Sequence, residues 1–197
     1  MGIYPEIIEK LIEKLEKLPG IGPKSAERIV YYLIGEKDEN VISLGQTIIS
    51  LKNQVKLCKR CFNFAEKEYC NICLDNKREN IICVVEEVKD LISIEKTNFK
   101  GRYHVLWGRI SLLDNVKPEQ LKIKQLIERV KNEKVEEIII ATNPTVEGEN
   151  TATYISEILK NTGIKISKLA IGVPIGSELE YIDSQTLKKA IEGRKEL

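Results

Sequence analysis

Four cysteines arranged as two close pairs limit what this chain can fold into more than any other feature. Cys58 and Cys61 are separated by two residues, as are Cys70 and Cys73, and eight residues lie between the pairs. A two-residue gap lets two thiolates turn toward one tetrahedral centre, and four thiolates leave no coordination position open for water. The spacing therefore predicts a structural Zn²⁺ site, with an iron–sulfur cluster as the alternative. The fifth cysteine, Cys83, lies in an apolar run and is predicted to be a buried thiol.

The segment around the paired cysteines is too poor in aliphatic residues to build an apolar core. Residues 57–80 carry cysteines, aromatics and polar side chains in place of a periodic pattern. Metal binding contributes on the order of 10 kcal/mol to the folding of small zinc modules, which can replace such a core. We therefore predict a four-cysteine zinc finger over 57–80. Lys59, Arg60 and Lys67 give it a modest basic edge, which either contacts DNA or is only solvated.

The chain changes its pattern on either side of this segment. Before it, apolar residues recur at helical spacing, which predicts amphipathic helices. After it, short β-branched runs alternate with helical segments, which is typical of an α/β layer with a mostly parallel sheet. The predicted strands are Ile81–Val85, Tyr103–Trp107, Val135–Ala141 and Ile166–Ile171.

A short glycine-containing turn separates the first two predicted helices. Gly20 and Gly22 flank Ile21, and Pro23 suits the first position of the second helix. Backbone N–H groups at such a turn, together with the positive end of the helix, can hold a phosphate. Lys24 and Arg28 lie four residues apart on one face of that helix and can reach neighbouring phosphates. This pattern is typical of a helix-hairpin-helix that binds DNA at Gly20, Gly22, Lys24 and Arg28; the alternative is a turn that needs glycine only for its shape.

Acidic residues follow two of the predicted strands. Glu86 comes directly after Ile81–Val85, and Glu147 and Glu149 follow the strand that ends at Ala141. This layout resembles the Toprim domain of topoisomerases, primases and related nucleases, in which a glutamate and an Asp-x-Asp motif hold magnesium. The positions of the two aspartates are taken here by the uncharged Asn143 and Thr145. We therefore expect Glu86 and Glu147 to contact DNA or a partner protein; catalysis and a merely solubilising loop are the alternatives.

Two other residues are singular in this chain. His104 is the sole histidine and Trp107 the sole tryptophan, and both fall in one predicted strand. A lone histidine in such a strand is predicted to pack or to form hydrogen bonds rather than to catalyse. Trp107 is predicted to pack in the core, with stacking on a nucleobase as the alternative.

The order of these parts resembles the RecR family of bacterial recombination mediators, and the resemblance covers essentially the whole chain. The stretches that carry it, besides the four-cysteine segment, are LPGIGPKSAERIVYYL, ICVVEEVKDLISIE, GRYHVLWGRISLLD, ATNPTVEGENTATYI and LAIGVPIGSELEYIDSQTLKKAIEGR. The expected fold is multidomain α+β. It comprises a helix-hairpin-helix domain (1–56), the zinc finger (57–80), a Toprim-like α/β domain (81–175) and a short C-terminal extension (176–197).

The resemblance implies a function as well as a fold. RecR proteins form ring-like tetramers that can encircle DNA, and they work with RecO and RecF to load RecA onto single-stranded DNA in gap repair. It thus implies a cytoplasmic, nucleoid-associated protein that binds single- and double-stranded DNA without sequence preference and is not an enzyme. With 31 basic and 30 acidic residues, net charge gives no sign of nucleic acid, so any DNA contact must be a local patch.

Two other hypotheses are compatible with the sequence. One is a metal-dependent Toprim nuclease or topoisomerase-like enzyme, and the other is an adaptor that holds repair proteins and barely touches DNA. No apolar run reaches the roughly 18 residues that a membrane span needs, so no membrane partner is expected.

Overall fold

The computed structural model of the chain describes residues 3–194. Within it the chain divides into two compact units, with the boundary between Val55 and Lys56. None of the helices in the described part of the chain is long and apolar enough to cross a membrane.

The first unit consists of helices. They are α1 (Glu6–Glu16), α2 (Pro23–Gly35) and α3 (Asp38–Gln54). Helices α1 and α2 pack against each other, and Ala26 and Val30 of α2 are buried. Helix α3 buries none of its residues within this unit. Its first turn carries Asp38 and Glu39, which suit the positive end of the helix dipole.

The second unit begins with the zinc finger segment. Strands β1 (Lys56–Leu57) and β2 (Phe64–Ala65) pair antiparallel, and the short helix α4 (Asn71–Leu74) follows. These elements are too short to hold a core of their own.

A four-stranded parallel sheet forms the rest of the second unit. Its strands are β3 (Ile81–Val85), β4 (Arg102–Val105), β5 (Glu137–Ala141) and β6 (Lys165–Lys168), in the spatial order β4-β3-β5-β6. The helices are α5 (Val88–Glu95), α6 (Ile123–Asn132), α7 (Val146–Leu159) and α8 (Ser184–Glu192). Short 3₁₀ turns cover Pro118–Gln120, Lys160–Thr162 and Leu179–Tyr181. The parallel pairing places the ends of β3 and β5, with Glu86 and Thr142 just beyond them, at one edge of the sheet.

The two faces of the sheet bury different partners, because successive side chains of a strand point to opposite faces. Ile82 and Val84 pack with residues of α6 and α7. Cys83 and Val85 pack with α5 and with Phe62 and Ile72 of the zinc finger segment. The zinc finger therefore lies against one face of the sheet and is part of the same packed unit.

The predicted strands are confirmed in order and type, and the differences lie at their ends. Strands β4 and β6 begin one residue earlier than predicted, and β5 begins at Glu137 rather than Val135. The strand predicted over Tyr103–Trp107 ends at Val105, because Trp107 adopts a left-handed backbone conformation that cannot continue a strand. The strand predicted to reach Ile171 ends at Lys168, opposite Ile140, because its neighbour β5 stops one residue later. The strand Ile81–Val85 is found as predicted.

Candidate zinc centre, glycine turn and acidic edge

The four paired cysteines converge in the structure. Their Sγ atoms lie within 4.8 Å of one another, and all four side chains are buried. Cys58 and Cys61 follow β1, Cys70 immediately precedes α4 and Cys73 lies in it. The backbone N–H of Cys70 donates to the Sγ of Cys58 at 3.4 Å, a bond that favours the charged thiolate. The local turns thus aim two pairs of sulfurs at one centre.

The chemistry of this cluster fits a zinc ion. Zn–S bonds of about 2.3 Å place tetrahedral sulfurs about 3.8 Å apart, and the Sγ atoms of Cys61 and Cys70 are 3.4 Å apart. The hydrogen bond from Cys61 lowers the pKa of Cys58, and the hydrogen bond with Cys58 raises the pKa of Cys61, because neighbouring thiols share protons. A zinc ion would replace those protons, so its binding releases them and weakens in acid.

Hydrogen bonds and aromatic contacts hold the zinc finger on the sheet. The backbone N–H of Val105 donates to the carbonyl of Cys61 at 2.9 Å, and the indole N–H of Trp107 donates to the carbonyl of Phe62 at 2.8 Å. The Phe62 ring meets the His104 ring edge to face, with the centroids 5.3 Å apart. Residues at the end of strand β4 therefore position the segment between the two cysteine pairs.

The basic edge predicted for the zinc finger is largely paired within the protein. Lys59 forms an ion pair with Glu68 at 2.9 Å, and Arg60 forms one with Glu133 of the C-cap of α6 at 2.8 Å. Of the three predicted basic side chains, Lys67 is exposed and has no ion pair among the described residues. This edge offers less positive charge to a nucleic acid than its sequence indicates.

The glycine turn has the geometry expected of a phosphate site. Gly20 adopts φ +79°, in the left-handed region that glycine reaches without strain. Gly22 is the N-cap of α2, and no side chain within the described residues caps that end of the helix. Lys24 and Arg28 are exposed on α2, and neither forms an ion pair in the described part of the chain. The N-terminal N–H groups of α2 and two cations thus face solvent together.

Gly22 separates the two interpretations of this turn. Its φ is −94°, which any residue can adopt, and a Cβ built there meets nothing within 4 Å. The fold therefore has no need of glycine at this position. Open space beside the bare backbone is what a closely approaching phosphate requires.

Glu86 is buried at the acidic edge of the sheet and is already hydrogen-bonded. Its side chain is 1% exposed. One carboxylate oxygen accepts from the backbone N–H of Asn143 and the other from the Asn143 side-chain amide, both at 2.8 Å. Arg109 approaches to 3.8 Å. A carboxylate held in this way fastens the loop after β5 to the end of β3. Because it is buried and both oxygens accept hydrogen bonds, it is not exposed to a ligand in solution.

The residues at the two aspartate positions have structural tasks of their own. Asn143 donates both bonds to Glu86. An aspartate would keep the backbone N–H bond, but its ionised side chain has no donor for the second one. Thr145 is the N-cap of α7 and accepts from the backbone N–H of Gly148 at 3.1 Å. A Cβ at Gly148 would lie 2.0 Å from the carbonyl oxygen of Asn143, so only glycine fits this tight loop.

The other acidic residues do not join Glu86 in a metal site. Glu149 pairs with Lys168 and with Lys189 of α8. Glu147 is partly exposed in the first turn of α7, and within residues 3–194 its carboxylate has no hydrogen-bond partner. In that same range, the four cysteines are the one group of three or more Cys, His, Asp or Glu side chains close enough to hold an ion.

The predictions for Cys83, His104 and Trp107 have different outcomes. Cys83 is buried, which raises its pKa to about 12, and the prediction of a buried thiol is confirmed. His104 is fully buried and bonds the carbonyl of Lys122 at 2.8 Å, so the predicted packing and hydrogen-bonding role is also confirmed. The prediction that Trp107 packs in the core is wrong, because its side chain is 41% exposed.

Two features of these sites were not predicted from the sequence, the Glu86–Asn143 pair and the exposure of Trp107. The first had a signal, since an asparagine at an aspartate position supplies donors where a carboxylate supplies none. The second had none, because the left-handed conformation that turns Trp107 outward cannot be recognised from an apolar run.

Four family matches lie in order along the chain. The RecR helix-hairpin-helix matches residues 8–51, the RecR zinc finger domain of the four-cysteine type residues 55–75, the Toprim domain residues 80–170 and the RecR C-terminal region residues 172–195. The chain is also 46% identical over 197 residues to the Recombination protein RecR of Acidothermus cellulolyticus, with 99% of both chains covered. These matches confirm the predicted fold class. Together with the converging sulfurs, they confirm a structural zinc site.

Proposed function

Because the chain belongs to the RecR family of recombination proteins, we propose that it is a recombination mediator that binds DNA and has no catalytic activity of its own. It binds single- and double-stranded DNA without sequence preference, and it works with RecO and RecF to load RecA onto single-stranded DNA in gap repair. We place it in the cytoplasm, associated with the nucleoid. We also retain the four domains, 1–56, 57–80, 81–175 and 176–197, as part of this proposal.

The observation that carries the proposal is the open space at Gly22. The helix end, the bare backbone and the exposed Lys24 and Arg28 form a site for backbone phosphates with nothing of the protein's own in it. Phosphate contacts position a protein on DNA and carry no sequence information, so binding at Gly20, Gly22, Lys24 and Arg28 has no base preference.

The state of the acidic edge supports a role without catalysis. Metal-dependent chemistry on phosphates needs several carboxylates around the ion. The Glu86 carboxylate is occupied by Asn143, and Glu149 is paired with lysines. The sequence predicts that Glu86 and Glu147 both contact DNA or a partner. We propose that the partly exposed Glu147 does so and that the buried Glu86 instead holds the loop after β5 in place. The Toprim match itself favours the alternative, a metal-dependent nuclease or topoisomerase-like enzyme.

Helix α3 supports assembly into a homo-oligomer. It buries no residue within its own unit, and large apolar side chains along it are more than half exposed: Ile42, Ile48, Ile49 and Leu51. A contiguous exposed apolar surface of this kind is typical of a protein–protein interaction site. We propose a second copy as the occupant, within the tetrameric ring that the family resemblance implies.

A single gel assay separates the mediator from the enzyme. Zinc-loaded protein is mixed with supercoiled circular DNA and Mg²⁺, and retardation is scored together with nicking or relaxation. We expect retardation with no change in DNA topology. Nicking or relaxation that disappears in both Glu86→Ala and Glu147→Gln would overturn the proposal.

Salt dependence tests the phosphate contacts. Each phosphate contact that a protein makes on duplex DNA contributes a slope of about −0.9 to log K against log[salt]. Lys24→Ala and Arg28→Ala are each expected to make the slope shallower by about 0.9, the contribution of one phosphate contact. The control Lys52→Ala should leave the slope unchanged. Gly22→Ala is expected to weaken binding with little change in unfolding temperature, because the weaker N-cap and the stiffer unfolded chain have opposite effects on stability. Equal slopes in all variants would show that the turn is not the contact.

A further inference from the structure

Two aromatic residues of the second unit adopt a backbone conformation that bulky side chains avoid. Phe62 and Trp107 both have φ +62°, in the left-handed region. A bulky residue there is an outlier, whereas glycine adopts this conformation freely. Such residues persist where the surrounding structure holds them, and they cluster at functional sites. Core packing does not explain this conformation at Trp107, whose side chain is substantially exposed.

The Trp107 ring is fixed in place although it is exposed. Its indole N–H donates to the carbonyl of Phe62 at 2.8 Å. The Phe64 ring meets it edge to face, with the centroids 5.7 Å apart and the planes at 73°. Phe62 points the other way, onto His104. The zinc finger thus fixes the indole ring against the edge of the sheet.

The outer side of this aromatic pair opens onto a recess. Trp107 is 41% and Phe64 52% exposed. The recess has a volume of about 350 Å³ and is lined by Phe64, Glu87, Val88, Lys89, Trp107 and Gly108. Sites for small ligands begin at about 300 Å³, so one flat group can enter.

The charges around the recess favour an uncharged ring inside it and phosphates outside. Lys89 and Glu87 pair at 2.8 Å, so the lining carries no net charge. The Lys89 side chain is nevertheless 71% exposed, and Arg109, which follows Gly108 in the chain, is 42% exposed and approaches Glu86 only to 3.8 Å, so both cations stay accessible to a phosphate. A nucleotide combines these two features, an uncharged base and a charged backbone on either side of it.

We propose that Trp107 and Phe64 form a stacking platform for one unstacked nucleobase of single-stranded DNA. Stacking tolerates every base, because each has a π face. Duplex DNA cannot use the platform, because its bases are already stacked on one another. The platform rests on the proposed function, in that it assumes a chain that binds DNA, and it adds a preference for single strands that the phosphate contacts alone do not provide.

The sole tryptophan of the chain supplies a direct readout. Trp107 fluorescence is followed in the full-length, zinc-loaded protein during titration with an oligo-dT strand. The comparison strand has the same length and phosphates but abasic sugars. Quenching by oligo-dT, with little or none by the abasic strand at equal occupancy, is the expected result.

Variants test the platform by affinity, measured by anisotropy of labelled DNA. Trp107→Gly suits the left-handed backbone, and it and Phe64→Ala are expected to weaken single-strand binding about tenfold, within the roughly 5- to 150-fold that one stacked base is worth. Duplex affinity stays the same. The matched control is Tyr69→Ala, which removes a 40% exposed aromatic of the same zinc finger outside the recess.

The remaining outcomes separate this proposal from the proposed function. DNA binding that persists without quenching and is unchanged in Trp107→Gly overturns the platform and leaves the mediator in place. Absence of binding to either form of DNA overturns both. If Trp107→Gly loses a protein partner and keeps its single-strand affinity, the recess receives a protein side chain, and the nucleobase proposal is wrong.

Discussion

The zinc centre and the acidic edge both carry residue types that bind metal ions in other proteins, yet only one of them is built as a metal site. The four cysteines converge, with their Sγ atoms within 4.8 Å of one another. At the acidic edge, Glu86 bonds Asn143 through both oxygens, and Glu149 bonds Lys168. The four sulfurs have too few hydrogen-bond donors within the protein and need an ion. The carboxylates of Glu86 and Glu149 already have donors within the protein and do not.

The comparison shows how one chain holds two loops by different means. The zinc finger has no aliphatic core, so metal coordination stabilises it. The loop after β5 sits on a well-packed sheet, and a buried carboxylate with a matching amide is enough to hold it. Four changes to the molecule test this difference, beginning with the one of largest expected effect.

Removal of one zinc ligand is expected to have the largest effect. Cys61→Ser should abolish stoichiometric zinc and unfold the segment between β1 and α4, because on the order of 10 kcal/mol of metal-linked free energy is lost. Zinc content and thermal unfolding are the measurements. Cys83→Ser is the control: it removes a buried thiol outside the cluster and should keep its zinc. A Cys61→Ser protein with full zinc and unchanged unfolding would mean that the zinc finger does not depend on the ion.

Acid is expected to have the second-largest effect, by lowering the free energy of unfolding through His104, which packs against the zinc finger. Burial lowers the pKa of His104 to about 3, from 6.5 in the unfolded chain. The unfolded state therefore takes up a proton below pH 6.5 that the folded state refuses until about pH 3. The contribution of neutral His104 to the free energy of unfolding is fully present above pH 6.5. It is lost as the pH falls from 6.5 to about 3, at about 1.4 kcal/mol per pH unit and by at most about 5 kcal/mol.

His104→Gln provides the comparison for that prediction. Glutamine can still donate to the carbonyl of Lys122 but does not titrate. Urea unfolding of both proteins between pH 7 and 4 should show a steeper loss in the wild type. Parallel curves would mean that carboxylates or zinc release, and not His104, set the acid sensitivity.

Much of this arrangement could be predicted from the sequence because it depends on local spacing. The cysteine pairs predict convergence, the run Ile81–Val85 predicts a buried strand, and Gly20 with Gly22 predicts a tight turn; each signal spans a few residues. The α/β layer with its parallel sheet followed from the alternation of strands and helices, whereas the Toprim-like character was a resemblance carried by the acidic residues after the strands.

The rest depends on contacts between residues far apart in the chain. Glu86 and Asn143 are 57 positions apart, and Trp107 and Phe62 are 45 apart. The acidic residue after the strand does not by itself show whether its partner will be an ion or an amide, and the one signal lay in the asparagine at position 143. The outward turn of Trp107 follows from one backbone dihedral angle and from a carbonyl of the zinc finger, neither of which has a sequence pattern.

Loss of the buried carboxylate is expected to have a smaller effect than loss of a zinc ligand. Glu86→Ala leaves the amide donors of Asn143 without acceptors, which should cost about 3 kcal/mol of unfolding free energy. Denaturant unfolding measures this. The control Glu147→Ala, at a partly exposed carboxylate, should stay within about 0.5 kcal/mol. Equal effects of the two changes would contradict the structural role of Glu86.

The last prediction would turn the acidic edge into a site of the other kind. Asn143→Asp places a second carboxylate against Glu86, where the amide nitrogen is now 2.8 Å from a carboxylate oxygen. Two carboxylates at that distance repel, so stability at neutral pH should fall by about 1–2 kcal/mol. A divalent cation relieves such repulsion by binding between them. Millimolar Mg²⁺ should therefore raise the unfolding temperature of the variant and leave that of the wild type unchanged.

Asn143→Ala separates metal binding from the mere loss of a hydrogen bond. It removes the amide donor without adding charge, so it should be destabilised and indifferent to Mg²⁺. If Mg²⁺ stabilises the wild type as much as Asn143→Asp, the Glu86–Asn143 pair opens to an ion. The two regions would then differ only in affinity, because an amide that an ion can displace would be a weak competitor rather than a replacement for it.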